Sequence, residues 1–274
     1  MANISELDPS ASPLNYYGYE LRRLRESACL TLNQLGKIIF CTGSLIGQIE
    51  TARKAPTREL TERADAALGA DGALLRLWPL VARSQLPGWF QPYAEMEAIS
   101  TYISTYQTQL VHGLLQTEEY AREVLGVLTE ERLDVRVEAR SERQRILART
   151  NPPAVWVVLN EAVLHGTIGG LNVMRRQLSH LLSFRRQGHV NVQVLPFTAG
   201  AHAGLMGSFT VLRFKDEPDI VYTPDYNSGH MTFNPTDLRD RSLRYDHLQA
   251  AALSVEDSAD RIAQVMEERY GEHP

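Results

Sequence analysis

The stretch that most constrains this chain is residues 31–56, TLNQLGKIIFCTGSLIGQIETARKAP, which reads as two short helices around a tight turn. Thr31 is placed to cap the first helix, with Gln34 three residues on in the capping-box position. Leu35, Ile38 and Ile39 follow at helical spacing. Phe40-Cys41 make the corner, and Thr42 caps a second helix over 43–50. There Leu45, Ile46 and Ile49 form an apolar stripe, leaving Thr42, Gly43, Ser44, Gly47 and Gln48 small or polar on the other side. A helix that enters a DNA major groove needs this division, one face anchored and the other short enough for close approach. The pattern therefore predicts Thr42, Gly43, Ser44 and Gln48 as base-contacting residues on double-stranded DNA, with Gln48 the one long reader.

Charge concentrates around the same unit. Residues 14–63 hold eight Lys/Arg against five Asp/Glu, a net of +3, whereas the whole chain is at −5 and the remainder therefore at −8. A basic module on an acidic chain predicts that only this part meets phosphate. Arg22, Arg23, Lys37, Arg53 and Lys54 are the expected phosphate contacts. The plainer alternative is a small helical bundle with solvated charges.

Residue identity separates the two. The run LRRLRESACLTLNQLGKIIFCTGSLIGQIETARKAP resembles the helix-turn-helix domain of repressor-like regulators of the XRE type, over about 14–78. Leu35 and Ile49 stand at its core positions, and Ile49, Glu50, Arg53 and Pro56 match its I-E-x-x-x-R-x-P ending. The resemblance implies a structural ion pair between Arg25 and Glu50, tying the motif to the first helix. Gly36 departs from the pattern at a place often held by Ala.

A length of 274 residues fits two domains, and an apolar fraction of 43% is ample for packed cores. No apolar run approaches membrane-spanning length. The polar N-terminus, residues 1–13, is expected to be a flexible arm without a signal core. Cys29 and Cys41 are too few for a disulfide framework and lack zinc-ligand spacing, so no metal or other cofactor is expected and a cytoplasmic location fits. Pro87-Gly88-Trp89 and Pro92 punctuate the chain, which divides into a DNA-binding domain over 14–80 and a second domain over 88–270.

In the second domain, residues 93–108 carry Met96, Ile99, Tyr102, Ile103 and Tyr106 at helical spacing, and the next segment, TYQTQLVHGLLQT, reads as a short strand entering a turn. Helices follow over 117–128 and 130–150, the latter very charged and read as a solvated face. Strand patterns occupy AVWVVLN, VNVQVLPF, SFTVLRF and DIVYTPDY, with helices over 172–186, 235–252 and 256–269. The fold class expected is multidomain: an all-α helix-turn-helix domain, then a mixed α/β (α+β) domain with a small sheet of about four to five strands.

The blocks YQTQLVHGLLQTEEY, VWVVLNEAVL, VQVLPFTAGAHAGLMGSF and ALSVEDS are similar to a domain of unknown biochemical function that recurs behind such a helix-turn-helix in actinobacterial regulators, some described as antitoxin-like or developmental. The resemblance implies a small partner protein encoded nearby. It fails over 223–234, TPDYNSGHMTFN. No metalloprotease, phosphate-loop, dinucleotide or serine-elbow motif is present. The best local candidate for ligand or partner recognition is the Gly-rich stretch holding His202, Gly204 and Gly207, whose alternative is a plain connection between strands. Two readings result: a transcriptional regulator that binds DNA as a homodimer, or an enzyme with an appended helix-turn-helix that uses His202 and Glu161.

Overall fold

The computed structural model describes residues 7–127, 132–225 and 228–271. The chain forms two compact units, one of Met1–Gly88 with Asp134–Glu142, the other of Trp89–Leu133 with Arg143–Pro274.

The first unit begins with α1 (Pro13–Ser27), capped by the Ser12 hydroxyl, which accepts from the Asn15 N–H. The expected arm therefore yields to helix at Pro13, and residues 1–6 of it lie outside the described residues. Next come α2 (Leu32–Ile38), α3 (Gly43–Glu50), α4 (Arg58–Leu68) and α5 (Ala73–Ser84). Gly69, in the left-handed region at φ 59°, stops α4. The buried Asp65 carboxylate of α4 accepts from the N–H groups of Gly72 and Leu74 at 2.7 and 2.9 Å, placing negative charge at the start of α5. Tyr17, Leu21, Leu35, Ile46, Ile49, Leu60 and Leu74 fill the core.

The second unit contains α6 (Gln91–Ile99), β1 (Tyr102–Gln107) and α7 (Glu118–Gly126), the last capped by Thr117. The end of the helix expected over 117–128 and the start of the one over 130–150 fall on residues 128–131, outside the described residues. Helix α8 (Leu133–Gln144) gives Asp134–Glu142 to the first unit, where Val135 packs on that core and the Glu138 carboxylate accepts from the Arg58 N–H. The charged segment is thus more than a solvated face, since Val137 and Ala139 are buried as well. Then follow β2 (Ala154–Asn160), α9 (Ala162–His165), α10 (Gly170–Ser183), β3 (Val190–Leu195), β4 (Phe209–Arg213), β5 (Ile220–Pro224), β6 (Gly229–Thr232), α11 (Pro235–Ala251) and α12 (Val255–Tyr270).

The strands form one mixed sheet in the order β3-β2-β1-β4-β5-β6. β1, β2 and β3 are parallel, and β4, β5 and β6 run antiparallel to their neighbours. The sheet has six strands rather than the expected four to five, and the sixth lies in the 223–234 segment where the family resemblance fails. A second correction concerns 93–108. The helix ends at Ile99, and Tyr102, Ile103 and Tyr106 belong to a strand. Both faces of that strand are covered, Ile103 joining a core with Leu178 and Ile262 while Tyr106 joins one with Tyr245 and Leu248.

Candidate nucleic-acid interface

Local hydrogen bonds build the two-helix motif. The Thr31 hydroxyl accepts from the Gln34 N–H at 3.2 Å, and the Gln34 side-chain oxygen accepts from the Thr31 N–H at 2.8 Å, a complete capping box. Gly36 is buried at the crossing of α2 and α3. A Cβ there would stand 2.7 Å from the Cys41 carbonyl oxygen, so the departure at this position gives close approach of the two helices. The Cys41 N–H bonds the Gly36 carbonyl at 2.8 Å and closes the turn over Phe40, which holds φ 58° and is 83% exposed. The Thr42 hydroxyl then caps α3 by accepting from the Leu45 N–H at 3.2 Å.

Burial divides α3. Ile46 and Ile49 are in the core, Leu45 is half-buried, and Thr42, Ser44 and Gln48 are exposed. Gly43 does not share that face. It is buried against Asn33, where a Cβ would meet the side-chain oxygen at 2.2 Å. Ile38, expected in the apolar stripe of α2, is instead 48% exposed.

Arg25 and Glu50 meet as a buried bidentate pair. The Arg25 Nε donates to Glu50 Oε1 at 2.6 Å and its Nη2 to Oε2 at 2.9 Å, while Nη1 donates to the Leu30 carbonyl at 2.8 Å. The hydrogen bonds that Arg25 donates to Glu50 raise its pKa against the opposing effect of burial. This pair fixes the end of α3 on α1 with both charges satisfied.

The expected phosphate contacts fall into two groups. Arg22 is paired with Glu26 at 2.9 Å and Arg23 with Glu20 at 2.8 Å, both along α1. Lys37, Arg53 and Lys54 are exposed and make no ion pair among the described residues. Local pairing thus leaves Arg22 and Arg23 with less uncompensated charge than the other three.

In the second unit the His202, Gly204 and Gly207 connection lies between β3 and β4. The His202 Nδ1 accepts from the Gly204 N–H at 3.1 Å, and its ring meets Tyr106 edge-on. Gly204 is buried, and a Cβ there would stand 2.2 Å from the Tyr106 ring, so this glycine permits close packing. Gly200 and Gly207 hold φ of 62° and 110°, conformations that favour glycine. Between them Leu205 and Met206 stand out at 68% and 83% exposure, an apolar tip that alternation and spacing gave no signal for. Glu161 is buried at the far end of β2. Its carboxylate takes the Arg261 guanidinium at 2.5 Å and the Phe197 N–H at 2.7 Å, with the His165 ring 3.8 Å away. Burial pushes its pKa up, but the Phe197 N–H and Arg261 outweigh this and hold it below the usual glutamate value. A carboxylate so committed is a tie between β2, the 197–199 turn and α12, and lacks the raised pKa of a general base or acid.

Among the described residues no group of three or more His, Cys, Asp and Glu side chains is arranged to hold a metal ion, and no helix is long and apolar enough to cross a membrane. Comparison with family models matches residues 17–78 to a helix-turn-helix domain and residues 90–264 to a domain of unknown function, DUF5753. No curated protein and no solved structure matches the chain.

Proposed function

The chain belongs to the DUF5753 family and carries a helix-turn-helix domain ahead of that domain, and on this footing we propose that it is a sequence-specific transcriptional regulator of the XRE type, acting on duplex DNA in the cytoplasm. The observation that carries this reading is the division of α3. Its inner face is locked by Ile46, Ile49 and the Arg25–Glu50 pair, while Thr42, Ser44 and Gln48 are presented outward. Helix α3 enters the major groove. Gln48 offers a donor and an acceptor to an adenine edge, and Thr42 and Ser44 make shorter contacts. Lys37, Arg53 and Lys54 neutralise phosphates, and Arg22 and Arg23 add less because Glu26 and Glu20 already hold them.

The DNA-binding domain spans 14–80 and the DUF5753 domain, over 88–270, receives a signal and joins two copies into a homodimer. Two half-sites about one DNA turn apart require two such modules. The receiving surface is the β3–β4 connection, with His202 and Gly207 as its frame and Leu205 and Met206 as its exposed tip. A small protein of the antitoxin-partner kind, encoded nearby, is the signal the sequence resemblance favours.

The test is selection of binding sites from random duplexes, followed by Gln48→Ala. Loss of preference at one base position, costing about 1–3 kcal/mol there, supports the assignment. A uniform loss across all sequences overturns Gln48 as a reader, and no retained duplex at all overturns DNA binding.

A further inference from the structure

The two edges of the sheet are treated differently. Strand β3, at one edge, is covered: the Leu253 N–H donates to the Val194 carbonyl at 2.9 Å, and the Ser258 hydroxyl accepts from the Val194 N–H at 2.9 Å. Strand β6, at the other, pairs only with β5, and its outward backbone groups have no hydrogen bond to another described residue. Residues 228–234, SGHMTFN, contain no Lys, Arg, Asp, Glu or Pro, the residues that ordinarily keep an open edge from pairing. Beside this uncharged edge stands Phe233, 52% exposed.

We propose that β6 is the seam at which two copies of this chain join, antiparallel, into one continuous sheet. This rests on the homodimer reading above and names its surface. The occupant follows from self-complementarity: the edge carries no charge to repel its own copy, and it holds both an exposed aromatic, Phe233, and a strand glycine, Gly229, that such a ring can cover. A second copy brings the same unprotected strand, so both edges are closed at once. A twofold axis perpendicular to the sheet keeps each residue on its own face, which restricts the register. The axis passes through a residue, so pairs across the seam have even numbers summed with even, or odd with odd. With the axis on Met231, His230 lies opposite Thr232 of the other copy, and Phe233 lies opposite Gly229, covering with an aromatic ring the place where the strand has no side chain. With the axis on His230, that residue opposes itself. In either register the two His230 side chains are directly across or one diagonal apart, within about 8 Å.

The experiment uses the full chain. Sedimentation equilibrium gives the dimer fraction against concentration, and hydrogen exchange read by mass spectrometry gives protection of 228–234 at the same concentrations. Protection of this segment is expected to rise in step with the dimer fraction. His230→Lys and His230→Glu, each checked for an intact fold by circular dichroism, are expected to raise the dimer dissociation constant about three- to fivefold at low salt. Their equimolar mixture is expected to return it to the wild-type value or below. A dimer whose 228–234 amides exchange as fast as in the monomer overturns the seam and leaves the homodimer standing. So does a dimer indifferent to both variants. A chain that stays monomeric at micromolar concentration, free and on DNA, overturns the homodimer and the seam together.

Discussion

At the scale of single residues, Gly36 shows how two opposed effects are weighed. Ala is the better helix former by about 1 kcal/mol, so propensity alone makes Gly36→Ala stabilising. The added Cβ would stand 2.7 Å from the Cys41 carbonyl and 3.0 Å from the Gly43 nitrogen, both backbone atoms of the turn that sets α3. Backbone cannot step aside as a flexible side chain can, so Gly36→Ala is expected to lower the melting temperature, and a rise would show that the turn relaxes. Arg25 and Glu50 pose a related choice. Glu50→Ala leaves the Arg25 guanidinium buried without its carboxylate and is expected to cost about 3–5 kcal/mol in denaturant unfolding, while replacing both partners with apolar residues costs much less. Equal losses in the single and double variants would mean that packing, rather than the stranded charge, sets the cost. The role proposed for the outward cations is in affinity instead. Arg53→Gln and Lys54→Gln should each reduce the slope of log K against log salt by about 0.9, and Arg22→Gln by less, because Glu26 already compensates it. An unchanged slope in the first two would remove them from the phosphate set.

At the scale of elements, what could be read in advance was what is encoded locally. Thr31, Gln34 and Thr42 announce the starts of α2 and α3 because a cap and its partner lie three residues apart, and both sets of hydrogen bonds form. Strand β1 is ambiguous in the sequence because Tyr102, Ile103 and Tyr106 satisfy a helical period as well as a strand buried on two faces, and only the neighbours β2 and β4 decide between them. Strand β6 carries no pattern, since Gly229 and His230 have little β character and its place comes from pairing with β5. The assignment of Asp134–Glu142 to the first unit rests on Val135 and Glu138 meeting residues far away in sequence, which spacing within the segment cannot reveal. On α3 the stripe was legible, but the burial of Gly43 depends on Asn33 of another helix. Glu161 likewise looked available in the sequence and is held by Arg261, a hundred residues on. Its depressed pKa gives that tie a pH signature. A carboxylate with a lowered folded-state pKa contributes stability above its unfolded value and loses it as pH falls through the folded one. Arg261→Gln is therefore expected to cost about 1–3 kcal/mol near neutral pH, with the difference from wild type shrinking in acid as Glu161 protonates. A difference that stays constant down through the carboxylate range would mean that Arg261 acts by packing alone.

At the scale of the whole molecule, the proposed function assigns DNA contact to the +3 module of a chain of net −5 and control of that contact to the rest. In that proposal, control requires that the signal favour one arrangement of the homodimer's two modules over another, since a ligand that binds both equally shifts nothing. The β3–β4 connection suits a receiver because it is mounted between two strands, Gly200 and Gly207 permit its path, and Leu205 and Met206 offer apolar area at its tip. Gly204 is a poor probe of that surface, because its substitution drives a Cβ into the Tyr106 ring and reports on packing. Leu205→Ser with Met206→Ser removes the exposed tip and leaves the buried frame alone. Such a variant is expected to keep the wild-type melting temperature and its affinity for operator DNA in the absence of the partner. It should lose the partner-dependent change in that affinity, a coupling of about 1–3 kcal/mol or some 5- to 150-fold in binding. Reciprocity supplies a second readout: in the wild type, operator DNA must alter partner affinity by the same factor, and in the variant it must not. If the doubly substituted chain still binds the partner and still transmits the full factor to DNA, the connection between β3 and β4 is only a connection, and the receiving surface lies elsewhere on the DUF5753 domain.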